Sequence, residues 1–346
     1  MHNFQKYIIS QNATIKDALI SIDNLGSGVL TLFVVDNNQC MLGTLTDGDI
    51  RRKLIRGYSI NDPVTIAMFT DFSFTTSCKV DINEIKKFKE NGITLLPCLD
   101  NEKHIIKVYD LKKQLSVLPI DAVLMAGGKG ERLRPLTEKV PKPLLKVGDK
   151  SIIDYNVDTL ISYGVENISV TVNYLKEQIE EHFESERNGI LVQCVREPKY
   201  LGTIGSVKFV ENLQNDTVLV MNSDLFTNIN YEDFYLHFKN HDADMSVGAV
   251  PYSVNVPYGI FELENREIKG VHEKPTYNYY ANAGIYLIKR KLLDLIPDDA
   301  FFNATDFIEA LIKNGNKVIR FPLTGYWIDI GKHEDYKKAQ ELVKHL

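Results

Sequence analysis

Apolar positions along the chain fall into two regimes that meet near residue 118. Before it, short apolar runs alternate with polar turns and stretches of helical spacing, and the order of these pieces occurs twice. After it, continuous apolar runs and amphipathic stretches alternate to the end of the sequence. That alternation predicts an α/β region with a mostly parallel sheet flanked by helices. The seam, LSVLPI (115–120), is short and carries Pro119, so it reads as a tight junction and not a flexible tether.

The front region contains a degenerate repeat of roughly 60 residues, about 1–60 and 61–118. In the first copy Thr14 reads as a helix N-cap, with Asp17 three residues on. LTLFVVD (30–36) reads as a buried strand, Asn37-Asn38 as a turn, MLGTL (41–45) as a second strand, and TDGDIRRKLIRG (46–57) as a second helix. In the second copy 81–92 is the helix, 93–100 and 104–110 are the strands, and LKKQL (111–115) takes the place of the closing helix. The front region is therefore expected to be a small α+β repeat pair over 1–118, followed by the α/β region over 119–346.

Length supports that division, since 346 residues make about two domains of ordinary size. With 44% hydrophobic and 25% charged residues, whole-chain disorder, collagen and coiled coil are excluded. No apolar run approaches the ~20 residues that span a bilayer. MHNFQKYIISQNATIKD has neither a basic start nor an apolar stretch, so no secretory leader is expected. Cys40, Cys78, Cys98 and Cys194 lie far apart with no C-x-x-C pair, which fits reduced structural thiols and a cytoplasmic location. The net charge is −6, with 14 basic and 13 acidic residues before the seam and 26 and 33 after it. Neither part is a basic surface, so nucleic acid and anionic membrane are not expected partners. Phosphate binding would require the few cations to converge on one place.

One segment offers that convergence. DAVLMA (121–126) reads as a buried strand and runs into Gly127-Gly128-Lys129-Gly130-Glu131-Arg132, with Lys142 following in Pro141-Lys142-Pro143-Leu144-Leu145. A glycine-rich loop after a strand brings backbone N–H groups close to phosphates. No Gly-Lys here is followed by Ser or Thr, as a Walker A loop requires, and Leu133 stands where a dinucleotide fingerprint needs its third glycine. A plain turn would not need Arg132 and Lys142; two cations and a glycine loop suit a triphosphate.

Gly-x-Gly-x-Arg-Leu-x-Pro-Leu-Thr (128–137) followed by Lys-Pro-Leu-Leu-x-Val-Gly (142–148) resembles the signature of sugar-1-phosphate nucleotidyltransferases, and the resemblance extends over about 120–346. It implies a Rossmann-like nucleotidyltransferase domain with its site at the C-terminal ends of the strands. It implies that Ala126, Gly127, Gly128, Gly130, Glu197, Gly202 and Asn222 bind the nucleotide. Arg132 would stabilise the departing β/γ-phosphates and Lys142 would contact the α-phosphate region. Asp224, after the apolar run TVLVM, and Asp329, in Trp327-Ile328-Asp329-Ile330-Gly331, would hold Mg²⁺. Read alone, Asp224 could be a helix cap and Asp329 a turn residue. Pro257-Tyr258-Gly259-Ile260, Val271-His272-Glu273-Lys274-Pro275 and Asn282-Ala283-Gly284-Ile285-Tyr286 match sugar-side motifs. They imply Gly259, Glu273 and Asn282 as sugar contacts and Lys274 as the group that places the attacking phosphate.

Glu197-Pro198-x-x-Leu201-Gly202-Thr203-Ile204-Gly205 resembles the family segment beside the nucleoside; as a bare sequence it reads as a turn capped by Thr203. His237 and His241 have i,i+4 spacing, but no Glu follows His237, and a solvated helix end explains them better than a zinc pair. The front region resembles a CBS domain pair, with Gly43-Thr44-Leu45-Thr46-Asp47-Gly48-Asp49-Ile50 as the carrying segment. That resemblance implies an adenine nucleotide held by Thr46 on the phosphate side and by Asp49 on the ribose. In the second copy Tyr109 and Lys112 stand in those places, so at most one site is expected. A pair that only dimerises or packs on its neighbour fits equally well.

The combined reading is transfer of a nucleotidyl group from an NTP to a sugar 1-phosphate. Asn173-Tyr174 and the Glu197 segment look most like the guanylyl, mannose-type branch. A CBS pair fused to such a domain is similar to the glucosamine-1-phosphate guanylyltransferases of legionaminic acid synthesis, and family resemblance implies a homo-oligomer. A sugar-1-phosphate nucleotidyltransferase using mannose 1-phosphate, or using UTP, dTTP or CTP, a nucleotide sensor with an inactive transferase half, and a nicotinamide oxidoreductase are the competing readings.

Overall fold

The computed structural model describes residues 4–26, 28, 30–76 and 81–345. Cys78 lies outside them. The chain divides into two compact units: Met1–Leu118 with Ile161–Gly164 and Asn188–Ile190, and Pro119–Leu160 with Val165–Arg187 and Leu191–Leu346. Among the described residues no helix is long and apolar enough to cross a membrane.

The first unit repeats a helix followed by a hairpin. Strand β1 (Ile8–Ser10) precedes helix α1 (Ile15–Asn24), strands β2 (Thr31–Val35) and β3 (Met41–Thr46), and helix α2 (Asp47–Ile55). The second round has α3 (Ile82–Glu90), β4 (Leu95–Leu99) and β5 (Ile105–Asp110). β2 pairs antiparallel with β3, and β4 with β5. β1 lies parallel to β2, and a Thr75–Cys98 bridge is placed likewise beside β4. Ile15, Ala18 and Ile22 of α1 pack on Leu32, Val34 and Leu45, while Phe33, Val35 and Met41 meet Leu95, Leu99 and Val108 of the second hairpin.

Local chemistry explains the helix starts. Thr14 and Asp17 form a reciprocal capping box on α1, and Thr46 and Asp49 form the same box on α2. Thr46 Oγ1 donates to Asp49 Oδ2 at 2.6 Å, and the Asp49 N–H donates back to Thr46 Oγ1 at 3.2 Å. The second copy lacks this pair, and the expected helix over 111–115 does not form. Leu111–Lys113 is instead a turn, in which Asp110 Oδ1 accepts from the N–H groups of Lys112 and Lys113. The buried ring of Tyr109 and the Lys112 ammonium, bonded to the Gly28 carbonyl, have replaced the capping side chains.

The second unit is built on a seven-stranded sheet. Its elements are β6 (Asp121–Ala126), β7 (Lys146–Val147), β8 (Lys150–Ser151), α4 (Ile152–Ser162), β9 (Asn167–Val172), α5 (Lys176–His182), β10 (Gln193–Arg196) and β11 (Thr217–Asn222). There follow β12 (Leu225–Thr227), α6 (Tyr231–Asn240), β13 (Met245–Asn255), β14 (Ile260–Glu264), β15 (Glu267–His272) and β16 (Thr276–Lys289). The last are α7 (Ala304–Lys313), β17 (Val318–Pro322), β18 (Trp327–Asp329) and α8 (His333–Val343). The strand order is β10-β9-β6-β11-β16-β13-β17, and β16 alone runs against the others. The chain steps outward from β6 to β9 and β10, then returns to β11 on the other side of β6. Such a reversal opens a crevice at the strand C-termini. Cys40 and Cys194 are free thiols, and burial pushes Cys194 up to about 11, which fits a structural role.

Candidate active site

Register places the ends of four strands in one row. Ala126 pairs with Val172, Val172 with Arg196, and Met125 with Asn222. Gly127, Asn173, Glu197 and Ser223 therefore leave the sheet at the same edge. The glycine loop after β6 is braced from the side: Thr137 Oγ1 donates to the Gly130 carbonyl at 2.8 Å, and the Tyr174 hydroxyl donates to the Thr137 carbonyl at 3.1 Å.

Two carboxylates and two cations meet beside that loop. β12 pairs antiparallel with β18, setting Leu225 opposite Asp329, so Asp224 and Asp329 arrive together from residues far apart in sequence. Lys142 forms an ion pair with Asp224 and stands 3.8 Å from Asp329 Oδ1. Arg132 lies against the backbone of Gly331. Burial pushes the Asp329 carboxyl up, and the Asp224 charge adds to it, while Lys142 and Arg132 pull it back. Asp224 Oδ1 is buried without a hydrogen-bond partner. The turn carrying Asp224 is held by buried Asn156 of α4, whose amide donates to the Leu225 carbonyl at 2.9 Å. The same helix is anchored at Asp154. Burial opposes ionisation there, but hydrogen bonds from His182 and Ser151 and the Arg187 charge hold the carboxyl down at about 2.

Glu197 follows β10 and is 5% exposed. A side chain at Gly127 would meet its carboxylate at 2.4 Å, so only glycine lets the β6 loop pass this close. Burial raises the Glu197 carboxyl, against Ser206, the Leu201 backbone and Asn173, and its Oε2 has no hydrogen-bond partner. Gly202 has φ +82°, and a Cβ there would press on the Phe302 carbonyl at 2.6 Å. Its close approach is thus to the chain itself. Thr203 does not cap its own turn: it accepts from the Ala304 N–H at 2.8 Å, at the start of α7.

The glycine loop, Arg132, Lys142, Asp224 and Glu197 line a cleft of about 630 Å³, which Asp329 does not itself border. Ala126, Gly127, Gly128, Gly130, Arg132, Lys142, Glu197, Gly202, Asn222 and Asp224 all border it. Against this geometry, the family profile described as nucleotidyl transferase matches residues 121–345. The chain belongs to the nucleotidyl transferase family.

Among the members it resembles is the mannose-1-phosphate guanylyltransferase catalytic subunit beta of Xenopus tropicalis. The two are 29% identical over 224 residues, covering 62% of each chain. The bifunctional protein GlmU of Methanocaldococcus jannaschii is 31% identical over 229 residues, covering 64% of this chain and 54% of that protein. The chain thus spans less than two thirds of the length of these relatives. Among solved structures, HddC from Yersinia pseudotuberculosis complexed with GMP-PN superposes with a TM-score of 0.51 at 25% identity, covering 64% of this chain and 99% of that one.

Of the motifs read as sugar-side, 257–260 and 271–275 do not border the cleft, whereas Gly284 comes against the side chain of Asn222, which does. Gly259 and Glu273 face each other, with Glu273 Oε2 3.1 Å from where a Gly259 side chain would begin. Lys274 occupies the same exposed turn with φ +45°. None of the three lines the cleft described above. Asn282 is taken up by its own strand: its Nδ2 donates to the Tyr286 hydroxyl at 2.9 Å and its Oδ1 accepts from the Gly284 N–H at 2.9 Å. Tyr200 borders the cleft and was not expected from the sequence; its signal was a lone aromatic between Pro198 and Leu201. His237 and His241 stack with centroids 4.2 Å apart. Among the described residues no three His, Cys, Asp or Glu converge as a metal cluster there or elsewhere.

Proposed function

We propose that the chain transfers a guanylyl group from GTP to a sugar 1-phosphate, glucosamine 1-phosphate in the first instance, releasing pyrophosphate. The observation that carries this reading is the meeting of Arg132, Lys142, Asp224 and Asp329 beside the glycine loop. The sugar phosphate oxygen attacks the α-phosphorus and pyrophosphate leaves opposite. Two anions must meet, so the protein's main tasks are alignment and charge neutralisation. The glycine loop supplies N–H donors, Arg132 offsets charge on the leaving phosphates, and Lys142 turns to the α-phosphate. The attacking phosphate is already anionic near neutral pH, so no side chain need take a proton. Lys274 would meet that phosphate from the exposed turn.

Asp224 and Asp329 fit a divalent cation: two hard carboxylates, one with a buried oxygen lacking a partner, and a lysine in the cation's stead. Two carboxylates completed by phosphate oxygens and water suit Mg²⁺. When bound there, Mg²⁺ would neutralise phosphate charge.

Glu197 supports guanine because an ionised carboxylate accepts from both N1–H and N2–H, and its free Oε2 faces no protein donor. Pyrophosphate release is measured with Mg²⁺, glucosamine 1-phosphate and each of GTP, UTP, dTTP, CTP and ATP. GTP alone is expected to support release. Glu197→Gln is expected to lower the GTP-to-UTP preference about 30-fold, the loss of ~2 kcal/mol from charge-assisted bonds. Equal change with both nucleotides removes the base assignment, and release with another NTP in the unaltered chain replaces GTP. Such a product would feed surface-glycan or nonulosonic acid synthesis, as in the legionaminic acid pathway.

For the front unit the proposal is a CBS-like pair that binds an adenine nucleotide at Thr46 and Asp49. The repeated helix–hairpin plan supports it. A ligand must open the Thr46–Asp49 box, so Asp49→Ala is expected to lower AMP affinity about tenfold, the worth of one ribose contact. Equal AMP titrations for both chains would leave this unit as an assembly element.

A further inference from the structure

Two loops, 197–205 and 299–304, are laced together beside the cleft. The Phe302 N–H donates to the Leu201 carbonyl at 2.9 Å, and the Phe302 carbonyl accepts from the N–H groups of Ile204 and Gly205, both at 3.2 Å. Lys199 stands 3.1 Å from Asp299 Oδ2 and adds an ion pair between the same two loops. The lacing sorts the side chains. Leu201 is buried, and Phe302 packs on the core, where its ring centroid lies 6.4 Å from that of Phe307. Their chain neighbours Tyr200 and Phe301 stay outside, 52% and 58% exposed. These two rings meet edge to face, with centroids 5.8 Å apart and planes at 61°, a geometry that stabilises an aromatic pair.

Tyr200 is the only aromatic residue bordering the cleft among the described residues. A nucleobase offers a protein two kinds of surface: an edge of donors and acceptors, and a flat π face. Glu197, three residues before Tyr200 in the same loop, is an edge group. The Tyr200 ring is a face group, half of it open to solvent. Lys199 is engaged by Asp299, so this loop presents no uncommitted cation to phosphate. Its chemistry at the cleft is that of a base site, while Arg132 and Lys142 stand with the glycine loop.

We propose that the base of the bound nucleotide stacks on the Tyr200 ring, and that Phe301 is a positioning residue that holds this ring in place. The inference rests on reading the cleft as a nucleotide site. A face contact favours the larger purine over a pyrimidine and does not tell guanine from adenine; the edge contact at Glu197 does that.

Isothermal titration calorimetry of the full chain with Mg²⁺ and no sugar phosphate tests it, with GTP, ATP, UTP and inorganic tripolyphosphate as probes. Tyr200→Ala is expected to weaken GTP about tenfold, the worth of one base–aromatic stack, and to leave tripolyphosphate unchanged. Tyr200→Phe keeps the ring and should stay within about twofold of the unaltered chain, as loss of an exposed hydroxyl costs little. Phe301→Ala should weaken GTP about threefold, the worth of one aromatic pair, and should add nothing in a chain that already carries Tyr200→Ala. A merely structural role for Phe301 would persist in that background. Equal weakening of GTP and tripolyphosphate overturns the proposal by making the loop a scaffold for the phosphate side. Unchanged GTP affinity in Tyr200→Ala also overturns it, and a raised KM for the sugar phosphate in that variant would give the ring to the acceptor. Tighter binding of ATP or UTP than of GTP by the unaltered chain would remove the guanylyl reading alone, since the tenfold loss in Tyr200→Ala should then appear with that nucleotide. If no nucleoside triphosphate binds more tightly than tripolyphosphate, there is no stacking platform.

Discussion

Asp224→Asn is expected to lower turnover about 1,000-fold or more, a loss of ~4 kcal/mol of transition-state stabilisation. The change is nearly isosteric, so packing stays as it is; what disappears is one negative charge and one hard oxygen ligand. Asp224 is the carboxylate in direct contact with Lys142, and its Oδ1 is buried with no protein donor. A buried oxygen left unpaired costs about 1–3 kcal/mol, which is tolerated where a ligand later satisfies it. Its backbone also joins the second carboxylate strand, since the Ile330 N–H donates to the Asp224 carbonyl at 3.2 Å. That bond survives the substitution, so the thermal midpoint should move by no more than a few degrees. Single-turnover pyrophosphate release across a Mg²⁺ titration makes the measurement. A near-normal rate at saturating Mg²⁺ would remove Asp224 from the metal and phosphate site.

Features fixed within a few residues could be read from the sequence. Thr14 with Asp17 caps α1 as their spacing indicates, and DAVLMA is the buried strand β6. The glycine loop and its two cations were likewise visible, because loop, Arg132 and Lys142 lie within one short stretch. Long-range effects were not visible. Lys142 was expected at the α-phosphate, but without a ligand its ammonium lies between Asp224 and Asp329, a position set by the β12–β18 pairing. Thr203 looks like the cap of its own turn, yet its hydroxyl caps α7, 101 residues away. The failed helix over 111–115 is a lesson in the other direction. In the sequence Tyr109 and Lys112 read only as departures from a ligand pattern, although the pair they replace, Thr46 and Asp49, is also the helix cap. The same two residue types serve nucleotide binding and helix starts, and their spacing does not separate the roles. Glu273 and Gly259 are neighbours; what the sequence could not convey is that they lie in exposed turns, one between β13 and β14 and the other between β15 and β16.

The second large effect is expected at Lys142. Lys142→Met keeps the length and the apolar stem of the side chain and removes its charge. The site then holds two carboxylates with Arg132 still nearby, and like-charge repulsion, already part of what raises Asp329, loses the first of the two cations that oppose it. The ratio kcat/KM for the nucleotide should fall about 1,000-fold, because the missing cation acts where charge accumulates in the transition state. A contrasting sign is expected for metal binding to the nucleotide-free chain. In the unaltered protein a cation must displace the ammonium from Asp224; in the variant it need not. Mn²⁺ affinity should rise about tenfold, or ~1.4 kcal/mol, as seen by electron paramagnetic resonance of free Mn²⁺. The two readouts separate two roles for one residue. Loss of activity with unchanged Mn²⁺ affinity would leave Lys142 as a phosphate contact that does not compete for the carboxylates. Weaker Mn²⁺ binding would mean that the lysine organises Asp224 and Asp329 and does not stand in for a metal. Retention of near-normal kcat/KM would remove it from the reaction altogether.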